Sequence, residues 1–479
     1  MKVSDNVRTA YHKDTITKHL SLYFPEIDKE ISGEPIHQES MHLSESLVDS
    51  ESIEFVGCIS SKFKIRVQNF TDDLKGRKII VRIWTDGTED EPITLFNGII
   101  DSSIRQSNRR VNEITAYDEL YTKGNTEVAA WYKSLIFPIT LKNLRDSLFN
   151  FIGLEQVETR LPNDGVTIQK QYDPNTLQAL AVIKAICQIN GACGIVNREG
   201  KFDYRILGDI VQTSYPSETL FPSNELFPSD PGVAEAVAAR IADDIGAEYF
   251  SFYEEVQWEE YEVKPIDKVT IRQSEDDAGV TYGYGRNNYI IQGNIFTYGL
   301  SGAELRSIAG NVYNSIGGFV YHPFDSKNNG LPFLECGLDA VSYYVINWEE
   351  TIRNENSRTR STGDIVYEQK PFYILNRELT GIQALKDSYS AKGEEYQSEF
   401  ITDLQTQIDL IKWNQQDDNK EYVKNYVGNY TYDKDTIDSM FDSFEPGTGE
   451  GLNVESVAAL PANPDENTIY LIQGKVVVE

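Results

Sequence analysis

From Ser52 onward apolar and polar residues alternate with the period of an extended chain. Phe63, Ile65 and Val67 are interleaved with Lys64, Arg66 and Gln68, and Ile79, Val81 and Ile83 repeat the pattern. A strand sends successive side chains to opposite faces, so this period predicts half-buried strands. Asp86-Gly87 marks a turn. A further run, Ile93, Leu95, Asn97 and Ile99, leads through Gln106-Ser107-Asn108 to a partner strand around Val111 to Tyr117. Short strands at this spacing predict a small antiparallel barrel or sandwich.

After Pro138 the period changes. Leu141, Leu144, Leu148 and Ile152 share one helical face, with Thr140 placed to cap the start and Gly153 to end it. A second helix is predicted to begin after Asp173-Pro174, carrying Leu177, Leu180, Ile183 and Cys187 on one side as far as Gly191. Two short strands follow, Gly194 to Val196 and Phe202 to Leu207, joined by the turn residues Asn197-Arg198-Glu199-Gly200. Helix, helix and hairpin together read as a compact α/β unit.

Next comes a linker with a small repeat, Leu220-Phe221-Pro222-Ser223 and Leu226-Phe227-Pro228-Ser229, whose prolines argue against a helix or a central strand. Strand patterns resume near Val256 and continue through Val269 to Ile271 and Tyr289 to Ile291. A helix at about Ala303 to Ile316 interrupts them, and strands return at Val341 to Trp348 and Phe372 to Leu379. Residues 395 to 425 are polar, with a helical stripe of Phe400, Leu404, Ile408 and Ile411 too short to establish a coiled coil. Pro446-Gly447-Thr448-Gly449 then releases a tail with a hairpin pattern, Thr468 to Ile472 and Val476 to Val478, which is at best marginally stable alone.

At 479 residues, 40% of them hydrophobic, the chain has material for roughly three domains with sizeable cores, and 28 Tyr and 21 Phe suit half-buried strands. It carries 44 basic and 75 acidic residues, a net charge of −31. Such a balance lacks the basic footprint of phosphate neutralisation, so tight nucleic-acid binding and attachment to an anionic membrane are not expected. The charge serves as a solubilising surface or as a surface that must not hold a passing polyanion. No run of about 18 apolar residues occurs, and the polar start Met1-Lys2-Val3-Ser4-Asp5-Asn6 has no signal segment, so synthesis in the cytosol and no membrane span are expected.

Candidate chemistry is sparse. Cys58, Cys187, Cys193 and Cys336 are too few and too dispersed for a disulfide framework. Cys187 and Cys193 are separated by five residues, outside zinc-knuckle spacing, and read as buried thiols. His12, His19, His37 and His42 lie in a polar stretch without metal-binding spacing and read as surface residues. His322 follows Cys193 at a distance some thiol proteases use, but Gly191-Ala192-Cys193-Gly194 lacks the neighbours of such a nucleophile. Tyr282-Gly283-Tyr284-Gly285 has no third glycine at dinucleotide spacing and reads as a turn or bulge. Asp86, Glu89 and Asp90 could hold calcium, though a solvated hairpin loop accounts for them. Among 75 acidic residues a glycosidase carboxylate pair carries no signal. No catalytic, cofactor or metal residue is assigned, no cofactor is expected, and the chain is read as a non-enzyme.

Particular strings do carry information. Gly98-Ile99-Ile100-Asp101, Glu113-Ile114-Thr115-Ala116-Tyr117-Asp118 and Phe137-Pro138-Ile139-Thr140-Leu141 resemble the N-terminal half of tail hub proteins encoded by phages and prophages of Gram-positive bacteria. So do the segment Leu180 to Arg205, the double Leu-Phe-Pro-Ser linker and Leu379-Thr380-Gly381-Ile382-Gln383-Ala384-Leu385-Lys386-Asp387. Asn463-Pro464-Asp465-Glu466-Asn467-Thr468-Ile469-Tyr470 looks like a short motif of phage minor structural proteins. The resemblance covers most of residues 50 to 395. It implies a baseplate hub or tail-associated structural protein of the virion, assembled in the host cytoplasm. It further implies a homotrimeric ring with two β-barrel domains per subunit, which adapts a sixfold tail tube to a threefold tip. The implied partners are a distal tail protein or tube ring, the tape-measure protein and a distal spike or fibre. DNA would pass through the centre, where acidic residues would repel it. Long tail-associated relatives continue beyond the equivalent of residue 479 into host-binding or wall-cleaving regions, functions expected here of a separate subunit.

The expected fold is thus a β-rich, multi-domain α+β chain. Its parts are a β-barrel-like domain at 1–120, the α/β domain at 121–210, a linker and insertion at 211–255, a second β-barrel-like domain with one helix at 256–390, a helical segment at 391–445, and a flexible linker with the C-terminal hairpin at 446–479. The competing readings are a tail-associated peptidoglycan hydrolase and a carbohydrate-binding adhesin, the latter requiring exposed aromatic clusters among the tyrosines.

Overall fold

A computed structural model describes residues 3–13, 15–48, 57–70, 72–105, 110–169, 174–207, 247–250, 253–274, 277–346, 367–395 and 400–401, and strands at 453–457, 468–472 and 475–477. The chain divides into two compact units, Met1–Asn414 and Gln415–Glu479.

In the first unit the alternating segments form strands as their period requires. Helix α1 (Asp5–Tyr11) precedes β1 (Lys18–Phe24), β2 (Lys29–Ser32), β3 (His42–Ser46), β4 (Lys62–Gln68), β5 (Lys78–Thr85), β6 (Ile93–Arg105) and β7 (Val111–Tyr117). Phe63, Ile65 and Val67 of β4 and Ile79, Val81 and Ile83 of β5 are fully buried, while their neighbours face outward. β6 departs from a simple period of two. Val81 pairs with Phe96 and Arg82 with Thr94, so Leu95 is an extra residue, and this bulge turns Phe96, Gly98 and Ile100 inward. Asn97 and Ile99, expected on the face of Ile93 and Leu95, therefore lie on the other one.

Three helices follow, α2 (Glu119–Gly124), α3 (Ala129–Ser134) and α4 (Leu141–Ile152), the last preceded by the two-residue strand β8 (Ile139–Thr140). Thr140 caps α4, accepting from the Asn143 amide at 3.3 Å, and Gly153 ends it at φ 65°, where a Cβ would be strained. The predicted face of Leu141, Leu144, Leu148 and Ile152 is buried. Beyond β9 (Thr167–Ile168), α5 (Ala179–Asn190) begins at Ala179, four residues later than a start directly after Pro174, and ends at Gly191. The hairpin is present as β10 (Cys193–Val196) and β11 (Phe202–Arg205).

The Leu-Phe-Pro-Ser repeats lie outside the described residues. The span read as a linker nonetheless contains β12 (Glu248–Phe250) and the start of β13 (Glu255–Trp258). Then come β14 (Lys268–Arg272), β15 (Val280–Gly283), β16 (Asn288–Gln292), α6 (Gly302–Ile316), β17 (Phe324–Asn329), β18 (Ala340–Ile346), β19 (Tyr367–Tyr373), β20 (Asn376–Thr380), β21 (Lys386–Ala391) and β22 (Phe400–Ile401). The predicted single strand from Phe372 to Leu379 is thus split between β19 and β20. α6 carries a reciprocal cap, Ser301 with Glu304. Phe400, read as the start of a helical stripe, is in a strand paired with Tyr289. The rest of that stripe lies outside the described residues.

The strand blocks on either side of the α/β unit are continuous with one another. An eleven-stranded sheet runs β13-β17-β21-β20-β3-β4-β7-β6-β5-β1-β2, and the antiparallel β3–β20 pair joins the early block to the late one. No sheet among the described residues closes into a barrel. In the early block an isolated bridge joins Ile36 to Val67, where Gln68 N–H donates to Pro35 O at 2.8 Å and His37 N–H to Arg66 O at 3.0 Å. The architecture is therefore β-rich α+β, with one hydrophobic cluster extending from Val7 to Ala391. α5 and α6 meet at Gly191, whose position would bring a Cβ within 3.1 Å of Ile316 and Ser315, and Asn294, in the loop between β16 and α6, donates from Nδ2 to Ala185 O of α5 at 2.9 Å.

In the second unit the expected hairpin is β24 (Thr468–Ile472) with β25 (Lys475–Val477). A third strand, β23 (Asn453–Val457), lies parallel to β24.

Candidate functional site

The β3–β20 pair sets Glu45 opposite Arg377 and Leu43 opposite Leu379, so alternation sends one charged and one apolar pair to the buried face. The β20–β21 hairpin adds Tyr389 opposite Arg377 and Asp387 opposite Leu379. Arg377 has no exposed side-chain surface. Its guanidinium grips Asp387 with both prongs, Nε to Oδ1 at 2.9 Å and Nη2 to Oδ2 at 2.7 Å, and donates to Glu45 Oε2 at 3.2 Å. It also donates to the carbonyls of Leu331, at 3.0 Å, and Leu334. Burial by itself would lower the pKa of Arg377, but Asp387 and Glu45 hold it above its usual value. Tyr389 donates its hydroxyl to Asp387 at 2.7 Å. From the turn between β10 and β11, Arg198 donates to Leu334 O at 2.6 Å and to Pro332 O, and lies 3.8 Å from Glu45. One buried ionic network therefore ties together the early strands, the late strands, the 331–336 loop and the α/β unit. A bidentate arginine pair surrounded by further acceptors is the arrangement in which such burial is tolerated. Arg377, closed off from solvent, is placed to hold the frame.

The opposite face of the same strands is open and polar. The registers align Ser44, Glu378, Ser388, Lys327 and Glu255 in one row and Ser46, Asn376, Ser390, Asp325 and Gln257 in the next. These ten residues line a groove of about 550 Å³. Lys327 pairs with Glu255 at 2.8 Å, which lowers the Glu255 pKa, and Lys392 pairs with Asp325. Serines and amides between charge-paired side chains give a polar lining rich in hydrogen-bonding groups, in which Glu255 and Asp325 are matched by lysines and no activated nucleophile is present.

The residues weighed for chemistry are scattered. All four cysteines are buried free thiols. Cys58 and Cys187 meet at Gly194, where a Cβ would stand 3.0 Å and 3.1 Å from their sulfurs, and a hydrogen bond with Cys58 followed by burial pushes the Cys187 thiol well up. Cys193 is fully buried in β10, while His322 faces the carbonyls of Glu259 and Tyr261 at 3.3 and 3.2 Å and the Glu262 carboxylate at 3.4 Å. A thiol–imidazole pair is not formed by these two. His12 is bound to Glu248 at 2.7 Å and His19 to Asp86 at 2.6 Å. Glu89 accepts from the Gly87 amide at 2.9 Å, so the Asp86 loop is occupied by its own hydrogen bonds. Gly283 ends β15 and Gly285 lies in the following turn. Among the described residues no group of three His, Cys, Asp or Glu side chains is placed to hold a metal ion, and no helix is long and apolar enough to cross a membrane.

The charged network was missed as a site, although a signal exists. On a period of two Arg377 shares a face with Leu379, and Asp387 shares one with Leu385 and Tyr389. Opposite charges at inward positions on both sides of the Gly381 turn mark a buried pair.

No protein-family model and no curated protein matches the chain. Among solved structures it is similar to the 43 kDa tail protein of prophage MuSo2 from Shewanella oneidensis, with 13% identity and a TM-score of 0.44 over 80% of this chain and 100% of that one. It is similar to the tail protein from Neisseria meningitidis MC58, with 12% identity and a TM-score of 0.42 over 79% and 98%. It is also similar to prophage tail protein gp18 from Listeria monocytogenes EGD-e, with 10% identity and a TM-score of 0.40 over 82% and 98%.

Proposed function

We propose that the chain is a structural subunit of a phage or phage-like tail, and within it a baseplate hub that forms a trimeric ring between the tail tube and the tip. The observation that carries this reading is the set of hub-like strings, because they fall on the frame of the first unit. Gly98 to Asp101 lies in β6, Glu113 to Tyr117 in β7, Leu180 to Arg205 spans α5 to β11, and Leu379 to Asp387 is the β20–β21 turn beside the buried network. In this reading the protein works through subunit contacts, without catalysis. Acidic residues of a chain with a net charge of −31 face the passage in this reading, where they repel a polyanion. The partners are a distal tail protein or tube ring, the tape-measure protein and a distal spike or fibre, the last docked on the C-terminal strands by sheet-edge addition.

Mass measurement of the purified chain, alone and with a distal tail partner, tests the hub. A trimer in either sample supports it, and a strict monomer that degrades cell walls in a zymogram overturns it. Truncation after Pro446 should leave the ring intact while losing one tip component; recruitment of every component by the truncated ring would refute the docking role.

A second reading is favoured by one observation. Tyr249, Tyr253 and Tyr344 are 39%, 39% and 48% exposed, and Tyr249 and Tyr344 meet edge to face at 5.4 Å on the β12–β18 sheet. Such an aromatic platform suits a saccharide-binding adhesin. Binding of intact host cells that is lost on Tyr344→Ala supports this reading, and undiminished binding by the variant rejects it.

A further inference from the structure

In a chain with a net charge of −31, one cavity concentrates cations. It occupies about 230 Å³ between the end of α1, the start of β1, the end of β17 and the turn from β20 to β21. Tyr11, His12, Lys13, Lys18, Gln383 and Lys386 are among its lining residues. Two of the nearby positive charges are already matched, Arg8 by Glu248 and Lys386 by Glu254, and His12 also leans on Glu248. Lys13 and Lys18 have no ion-pair partner among the described residues, leaving the cavity with two uncompensated ammonium groups.

Gln383 explains how Lys18 is held. Its side-chain amide accepts from Lys18 N–H at 3.1 Å and donates to Ile16 O at 3.0 Å, clamping the chain just before β1 to the β20–β21 turn. The Lys18 ammonium donates to Gln383 O at 3.3 Å and has donor capacity to spare. Burial lowers the Lys18 pKa, as expected of a cation drawn out of water without a counter-charge. An independent feature points to the same place. Tyr11 is only 4% exposed, its ring packs edge to face on Phe333, and its buried hydroxyl has no hydrogen-bond partner. Burial also raises the Tyr11 pKa, which keeps the hydroxyl protonated and able to donate.

We propose that this cavity is a binding site for a phosphate group, held by the ammonium groups of Lys13 and Lys18 and by the Tyr11 hydroxyl. Two ammonium point charges and a phenol are separate donors that surround a tetrahedral oxyanion, whereas a planar carboxylate is better matched by an arginine fork, and the nearby Arg8 is committed to Glu248. Dianionic phosphate would also neutralise the two unmatched charges.

The test uses the full chain and inorganic phosphate, followed by calorimetry and by phosphorus NMR line broadening at constant ionic strength, with sodium acetate as the carboxylate control. The expected result is saturable phosphate binding, at least tenfold tighter than acetate. Lys18→Met, which keeps the aliphatic stem, should weaken it about tenfold or more, and Tyr11→Phe, which removes only the hydroxyl, should weaken it several-fold. If Lys18→Met does not fold, Lys13→Gln at the exposed position takes its place, with the same direction expected. Absence of saturable phosphate binding by the wild-type chain overturns the site, as does equal binding of acetate or affinity unchanged in Tyr11→Phe and the lysine variant. If a phosphorylated polymer binds more tightly than inorganic phosphate and competes with it, the group is recognised as part of a larger ligand; competition by inorganic phosphate alone identifies the free ion. Both results support the site.

Discussion

Arg377→Met tests whether the buried network holds the two strand blocks together. Methionine keeps most of the aliphatic volume, so the variant chiefly removes charge and five donated hydrogen bonds. Asp387, with no exposed surface, would keep the Tyr389 hydroxyl at 2.7 Å and a long bond from the Leu331 amide at 3.4 Å. Glu45 would keep Arg198 at 3.8 Å, and the Leu331 carbonyl would lose its guanidinium donor. Removing one partner of a buried ion pair costs about 3–5 kcal/mol, because the other is left charged and dry. That corresponds to a shift of roughly a hundred- to several-thousand-fold in the folding equilibrium. Removing both charges, in Arg377→Met/Asp387→Leu, should recover more than half of the loss, since a well-packed apolar pair can replace a buried ion pair. The assays are urea unfolding by tryptophan fluorescence and hydrogen exchange of the β3 and β20 amides. The reasoning is refuted if the single variant loses less than about 1 kcal/mol with unchanged protection of these strands, or if the double variant loses the sum of the two single effects.

Three further outcomes are expected. Asp118 caps α2 and is buried against three donors, Ser60 Oγ at 2.8 Å, the Ser61 amide at 2.6 Å and the Leu120 amide at 3.0 Å; burial outweighs them and raises its pKa to about 7. The folded state then binds this proton more tightly than the unfolded one, so stability contributed below pH 4 is lost as pH rises to about 7, and Asp118→Asn should flatten that part of a denaturation-versus-pH curve. Gly194→Ala should destabilise by about 1–3 kcal/mol, read from the urea midpoint, because its Cβ would strike the Phe202 ring and crowd Cys58 and Cys187. A thiol-reactive dye should modify none of the four buried cysteines rapidly in the native protein and all four in denaturant; fast native labelling would contradict their burial.

Much of the local structure was legible along the chain. The periods of β4, β5 and β7, the face and both caps of α4, the β10–β11 hairpin and α6 follow from steric preferences acting over a few residues. The buried thiols were legible too, since Cys187 lies on an apolar helical face. Reading failed where a neighbour far along the chain decides. The Leu95 bulge depends on the strands flanking β6, the late start of α5 on the bridge between Glu127 and Gln178, and the strand state of Phe400 on Tyr289. In the same way, inward period-two positions hinted that Arg377 and Asp387 are buried, but could not supply Glu45, 332 residues away, or Arg198.

By itself, then, the sequence determined many of the strands and helices, the apolar faces of those such as β4, β5 and α4, and that the chain is strongly acidic. Only the tertiary structure decided that the early and late strands share one sheet through β3 and β20, and that a cavity gathers Tyr11, Lys13 and Lys18. The reason is the range of the forces: dihedral and periodic preferences act within a few residues, whereas the partner of an edge strand or a buried charge is chosen by the free energy of burying and satisfying groups hundreds of residues apart.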